Sequence, residues 1–395
     1  MSLDLAALRA DTPGCAHVLH LNNAGAALMP RPVHEAVVGH LTRELETGGY
    51  EAAAEAEPAL RDTYAAIADL LNATPDEIAL VDNATRAWDV AFYGIPFRPG
   101  DRVLTSRVEY GANYVAYLQM AKRAGIRVTV LPDDPATGTV DLAALEAELA
   151  AGGVRLVSLP HVPTGCGVVA PPAAIGRLAK AHGALFLLDA CQSAGQLALD
   201  VAALGCDFLS ATGRKYLRGP RGTGFLYCRR EVLAEIEPPT IDHHAAAWTG
   251  PDSYALAPTA QRFEVWESSI AGRIGLGVAV RYALGLGLPV IEARIRSLAA
   301  RLRDGLAAVP GVTVRDGGSD LCGLVTFTVD GHAPQAVQAA LRARAVNVSV
   351  SAAGSSLLDF SARGLTAVLR ASVHYYNSEE ELDRFLAHLR AVTGR

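Results

Sequence analysis

Residues 184–227 read ALFLLDACQSAGQLALDVAALGCDFLSATGRKYLRGPRGTGFLY. The apolar run Leu185 to Leu188 stops at Asp189, CDFLSAT (206–212) stops at Thr212, and FLY (225–227) follows the turn GPRGTG (219–224). Short apolar runs bounded by turn residues read as strands, and their continuity predicts burial on both faces of a sheet. Between the second run and the third stands Lys215.

Three of the thirty-five basic residues are lysines. Lys122 and Lys180 lie near the ends of helical patterns, in LQMAKRAGIRV and IGRLAKAHGAL, where a cation ahead of glycine suits a helix terminus. Lys215 has no such explanation. Arginine stays protonated, whereas a desolvated lysine sheds its proton and acts as a nucleophile or base. At a strand end, flanked by Thr212, Gly213 and Arg214, it is placed to form a Schiff base beside a phosphate site. About twenty-five residues upstream, Asp189 occupies the carboxyl end of a buried strand, where open α/β sheets place ligands. There a carboxylate can keep a pyridine nitrogen protonated, or simply cap a helix. Gln192 can donate to a ring oxygen.

Composition sets the outer bounds. A chain of 395 residues, 50% hydrophobic and 19% charged, is long enough for two domains and a large core. A net charge of −6 carries no basic footprint for nucleic acid or an anionic membrane surface. The absence of an apolar run of about eighteen residues and of a signal-peptide pattern predicts a cytoplasmic protein with no membrane partner. The six cysteines have no CxxC spacing, so buried reduced thiols are expected, with neither a disulfide framework nor a zinc site. His243 and His244 are adjacent and not at helical ligand spacing, so no metal is assigned.

The remaining segments alternate strand and helix from 75 to 227, which predicts a mostly parallel sheet covered on both faces. HLNNAGAALMPRPV (20–33) is a strand, a small-residue turn and a helix start. In TPDEIALVDNATRAWDVAFYG (74–94) a strand ends near Val81, and Asn83, Ala84 and Thr85 open a helix whose free N–H groups suit a phosphate. Glu109 to Asn113 join another strand to its helix. VRLVSLPHVPTGCG ends at His161 to Thr164, and His161 reads either as a base or as a histidine satisfied by backbone. From about 290 the order becomes helix, strand, helix, strand, with Arg370 inside TAVLRASVHYYN.

Asp189, Gln192, the TGRK run ending at Lys215 and the GPRGTG that follows resemble the fold-type I enzymes that use pyridoxal 5'-phosphate, specifically the class V aminotransferase and cysteine desulfurase group. The resemblance extends over nearly the whole chain. It implies an α/β fold with a mostly parallel seven-stranded sheet in a large domain (21–260), a smaller α+β C-terminal domain (261–395), and an N-terminal arm (1–20) packing on the small domain. It also implies a homodimer with shared active sites and a small-molecule amino-acid substrate. Lys215 is then the catalytic residue and cofactor link. Ala84, Thr85, Thr212 and Arg214 fall in the cofactor-binding segments, with Asp189 and Gln192 on the ring and Tyr110 stacked on it in place of the histidine of many relatives. Asn23, Gly25, Thr164 and Arg370 become substrate contacts, Arg370 taking the α-carboxylate. Where relatives send a threonine to the partner subunit's phosphate, this chain has Glu267, which would repel it, so either Ser268 takes over or the contact is absent. Tyr50, within 47–55, reads as an interface residue, by packing or by reaching across to the partner's site.

Desulfurases of this group use a cysteine in the loop before the arginine strand, but NVSVSAAGSSLLDFSARG (347–364) has none. GGYEAAAE, EYGAN and RKYLRGPRGTG resemble the branch of ergothioneine-pathway C–S lyases and isopenicillin N epimerase-like proteins. The expected reaction is therefore β-elimination from an S-substituted cysteine to a thiol, pyruvate and ammonia. Aminotransferase or epimerase activity is the alternative, and a desulfurase or a non-catalytic relative is less favoured.

Overall fold

The apolar runs of the first 230 residues form one sheet in the computed structural model, which describes residues 3–394. Its strands are β1 (Ile78–Val81), β2 (Arg102–Ser106), β3 (Arg127–Leu131), β4 (Val154–Pro160), β5 (Leu185–Asp189), β6 (Phe208–Thr212) and β7 (Gly224–Cys228). They lie in the order β1-β7-β6-β5-β4-β2-β3. β7 runs antiparallel to both neighbours, and the other four pairings are parallel. This is the mixed seven-stranded sheet of fold-type I. The turn carrying Lys215 joins β6 to β7 as a hairpin, which a parallel crossover could not do over so few residues.

Both faces of this sheet are covered, as the unbroken apolar strands require. Leu187, Phe208 and Leu226 pack with Trp88, Phe92 and Tyr117 on one side. Their neighbours Phe186, Leu188 and Leu209 point the other way, into the cluster that holds Ile175 and Val280. The helices concerned are α1 (Arg31–Thr47), α2 (Glu57–Leu71), α3 (Ala84–Gly94), α4 (Gly111–Ala124) and α5 (Pro172–Ala181).

Further along, α6 (Ile270–Leu286) packs back on α1 and α2. Then α7 (Leu288–Ala307) leads into a four-stranded antiparallel sheet of β8 (Val312–Val314), β9 (Leu324–Val329), β10 (Ser349–Ala352) and β11 (Ala367–Ser372), in the order β8-β9-β11-β10. Helices α8 (Pro334–Arg342) and α9 (Glu379–Thr393) complete it. The short strand Leu19–His20 pairs in parallel with Val346–Asn347, and Ser372 N–H donates to the Leu21 carbonyl over 2.7 Å. No single helix among the described residues is long and apolar enough to cross a membrane.

One buried cation ties these parts to the lysine turn. Arg218 adopts φ 64°, a region that costs a non-glycine residue energy unless its surroundings hold it there. Its guanidinium donates to Leu28 O (2.8 Å), Tyr375 Oη (2.7 Å) and Thr12 Oγ1 (2.6 Å), and it lies 4.4 Å from the Tyr376 ring centroid.

Candidate active site

The parallel strands deliver their carboxyl ends to one edge of the sheet, and a cavity of about 650 Å³ opens there. Lys215, half-buried in the β6–β7 turn, lines it together with Asp189 from the end of β5. Cys191 N–H donates to Asp189 Oδ1 at 2.8 Å, and Asn113 Nδ2 donates to Oδ2 at 3.3 Å. Burial raises the Asp189 carboxyl above its ordinary range, against the lowering pull of the Cys191 N–H, Lys215 and Asn113. The Cys191 thiol lines the same cavity as Lys215, and burial raises its pKa against the lowering pull of that amine.

Gln192 is buried beside Asp189 and lines the same cavity. Its Nε2 donates to Ala24 O at 3.3 Å, while Oε1 is buried with no partner. A buried amide oxygen left unmatched is costly, and a hydrogen-bond donor in the cavity would give it a partner, while the second Nε2 proton remains to donate to an acceptor.

A second set of groups suits a phosphate. Asn83 caps α3 by accepting from Arg86 N at 2.9 Å. The N–H groups of Ala84 and Thr85, both cavity-lining residues, are left without intrahelical acceptors. Thr212 and Arg214 also line the cavity. The Thr212 hydroxyl already donates to Thr223 O at 3.2 Å, so here it offers lone pairs and not a proton. Arg214 reaches Gly25 O with Nη1, and its own carbonyl accepts from Ala27 N at 2.9 Å. The lysine turn and the 24–27 turn are thereby clamped together, with Gly25 on the cavity wall.

Across the cavity, Arg370 projects from β11 toward the loop after β4. Nη1 donates to Thr164 Oγ1 at 2.7 Å and to Thr164 O at 3.2 Å, and Nε donates to Ser349 Oγ at 3.0 Å. Burial lowers the guanidinium to about 10, which leaves it a cation at neutral pH. Tyr110, 41% exposed, lines the cavity at the start of α4. The next residue, Gly111, comes so close to Gly354 O that a Cβ would lie 2.5 Å from it. The segment before the arginine strand is thus brought against the site.

One expected contact is absent from this cavity. Asn23 is fully buried, with Nδ2 donating to Ser372 O at 2.7 Å and Oδ1 accepting from Tyr376 Oη. Its amide therefore ties the 20–24 turn to the C-terminal sheet and does not face a substrate. Ser268, expected at the phosphate of the partner subunit, lies outside the cavity of its own chain; its hydroxyl is buried without a partner, two residues before α6. His161 lies outside as well, and burial lowers it to about 4, so it is neutral.

Asn113, Cys191 and Arg221 are among the cavity residues that their sequence context did not single out. Asn113 lies in the first turn of α4, four residues beyond Glu109, and its Nδ2 donates back to Glu109 Oε1 at 3.0 Å. Cys191 follows Asp189 by two, the reach of a turn. Arg221 sits in the GPRGTG turn and gives no local signal. Behind Asn113, the buried Glu109 carboxyl is raised to about 7 by burial, against donors from Thr105, Asn113 and Tyr110.

The donor set fits the pyridoxal phosphate expected from the sequence: an amine, a buried carboxylate, an amide with free capacity and a helix N-terminus, around one cavity. The family described as aminotransferase class-V matches residues 19–385. A probable cysteine desulfurase of Pyrococcus abyssi is 31% identical over 389 residues, covering 97% of this chain and 96% of the relative. Among solved structures, the apo cysteine desulfurase of Thermococcus onnurineus superposes with a TM-score of 0.92 at 29% identity, over 100% of this chain and 99% of that one. A cystine C–S lyase, solved with its reaction product cysteine persulfide, gives 0.86 at 27% identity over 96% and 98%.

Proposed function

Because the chain belongs to the aminotransferase class-V family, whose cofactor is pyridoxal phosphate, we propose that it is a C–S lyase converting an S-substituted cysteine to a thiol, pyruvate and ammonia. One observation carries the choice. The segment 347–364, brought to the site through Ser349 and Gly354, contains no cysteine. Among the described residues the one cavity-lining thiol, Cys191, is held beside Lys215 with its pKa raised. The likeness to a cystine C–S lyase supports the same reading.

In this reading the N–H groups of Ala84 and Thr85 and the Arg214 guanidinium hold the phosphate, the Thr212 hydroxyl turns from Thr223 O to donate to it, and Tyr110 covers the ring. Asp189 faces the pyridine nitrogen, Gln192 the ring oxygen, and Lys215 carries the covalent link. When bound, the cofactor supplies a sink for the electron pair left at Cα. The planar fork of Arg370, pre-oriented by Thr164 and Ser349, takes the substrate α-carboxylate, with Gly25 on the opposite wall. That hold turns the Cα–H bond toward Lys215, whose free amine accepts the proton at Nζ. The Cβ–S bond then breaks and the thiolate leaves with its electron pair. Released 2-aminoacrylate takes up water to give pyruvate and ammonia. No enzyme thiol is consumed.

The wider assignments belong to the same proposal. Leu45, Tyr50, Trp248 and Trp266 are exposed apolar side chains in and near the segments 47–55 and 261–269. They suit a homodimer interface in which Ser268 of the partner subunit completes the phosphate site. All six cysteines are free, in keeping with a reducing cytoplasm. The parallel pairing of Leu19–His20 with Val346–Asn347 supports an arm (1–20) on the C-terminal domain (261–395), the large domain being 21–260.

A second reading, cysteine desulfurase, is favoured by the relatives' names and would need Cys191 as sulfur acceptor. Incubation with cystine and S-conjugated cysteines, scored for pyruvate and ammonia, tests the proposal. Alanine with a persulfide on Cys191 would replace the lyase by the desulfurase. Amino exchange with a keto acid and no pyruvate would make it an aminotransferase.

A further inference from the structure

Glu109 stands at the join of β2 and α4, fully enclosed, and four donors converge on its carboxylate. Thr105 Oγ1 (2.8 Å) and Tyr117 Oη (2.9 Å) donate to Oε2. Tyr110 N (2.8 Å) and Asn113 Nδ2 (3.0 Å) donate to Oε1. No lysine or arginine pairs with it among the described residues. A buried carboxylate without a cation is expensive to keep, and packing alone does not call for one here.

The same Nδ2 of Asn113 lies 3.3 Å from Asp189 Oδ2. An amide nitrogen has two protons in one plane. Once Glu109 holds the first, the direction of the second is set, and it meets Asp189. The other Asp189 oxygen is held by Cys191 N–H at 2.8 Å. With one fixed donor on each oxygen, the carboxylate cannot turn about its last torsion.

We propose that Glu109 is a positioning residue that, acting through Asn113, fixes the Asp189 carboxylate in the orientation that meets the cofactor's pyridine nitrogen. The proposal rests on the assignment of Asp189 to that nitrogen. Glu109 does not touch the ligand; its effect passes through one amide group. The charge and both oxygens matter, because a glutamine amide at this position would offer a single oxygen where two now receive four donors.

Titrating apoprotein with pyridoxal phosphate, and recording the absorbance of the loaded protein, tests the chain of contacts. Glu109→Gln and Asn113→Ala are each expected to weaken cofactor binding about tenfold, the size of one lost bond to a charged group, and to displace the visible band. The double variant should bind no more weakly than Asn113→Ala alone. Additive losses would overturn the proposal, as would a Glu109→Gln protein with a lower apoprotein melting temperature but unchanged affinity and band. Should Glu109→Gln not fold, Asn113→Ala and Glu109→Asp serve, and normal affinity and band in both would overturn it equally. Asp189→Ala separates the two layers: if it leaves affinity and band unchanged, the assignment of Asp189 fails and this proposal fails with it, whereas loss in Asp189→Ala with none at 109 and 113 overturns the positioning role alone.

Discussion

Arg370 Nη1 donates to Thr164 Oγ1 over 2.7 Å, joining the C-terminal sheet to the loop after β4 across 206 residues of sequence. With Ser349 on Nε, two sides of the fork are fixed before any substrate arrives. Arg370→Ala is expected to lower kcat/KM on an S-substituted cysteine by about 30- to 5,000-fold, corresponding to roughly 2–5 kcal/mol for a buried charge pair. Thr164→Val should lose less, and Thr164→Ser should retain most activity. Steady-state kinetics on the three variants checks this order.

Lys215 is expected to carry the cofactor covalently. Purified protein should show a visible absorbance band that borohydride removes. Lys215→Ala should abolish the borohydride-sensitive band and turnover together. An unchanged reducible band in that variant would rule the assignment out.

Arg218→Ala is expected to cost stability. It strips the donors from Leu28 O, Tyr375 Oη and Thr12 Oγ1 at a buried site. The loss should be several kcal/mol, on the order of 3, read as a lower midpoint in urea. Arg218→Lys should recover little, because one ammonium cannot span three acceptors in that geometry.

Acid sensitivity has a specific contributor. Burial lowers His161 to about 4, against 6.5 ordinarily, so the unfolded chain takes up a proton that the folded chain refuses. The stability this histidine contributes is complete above about pH 6.5 and is lost as pH falls toward 4. His161→Leu, similar in bulk and unable to titrate, should flatten the fall in apoprotein melting temperature over that window. Parallel curves for variant and parent would contradict it.

Sedimentation should find a dimer at assay concentrations, with Trp248 and Trp266 shielded from aqueous quenchers. An active monomer would remove the shared-site reading and, with it, any role for Ser268 of the partner subunit.

Residue order alone marks the strands and their ends. Apolar runs stop at Asp189 and Thr212 because turn chemistry is local, and the choice of lysine over arginine marks Lys215 wherever the strands lie. The cap at Asn83 and the family resemblance through Lys215 and Arg370 were legible in the same way. Which polar groups meet is a matter of packing. Asn23 and Gly25 are two residues apart in one turn, yet the first is drawn into the C-terminal sheet by Ser372 and Tyr376 while the second lines the cavity. Asn113 reaches Asp189, and Thr164 reaches Arg370, only because β2, β4 and β5 lie side by side and β11 packs over their ends. Side-chain hydrogen bonds need alignment within a few tenths of an ångström. Local periodicity cannot supply that between residues so far apart in the chain; the order of strands and the packing of the two sheets do.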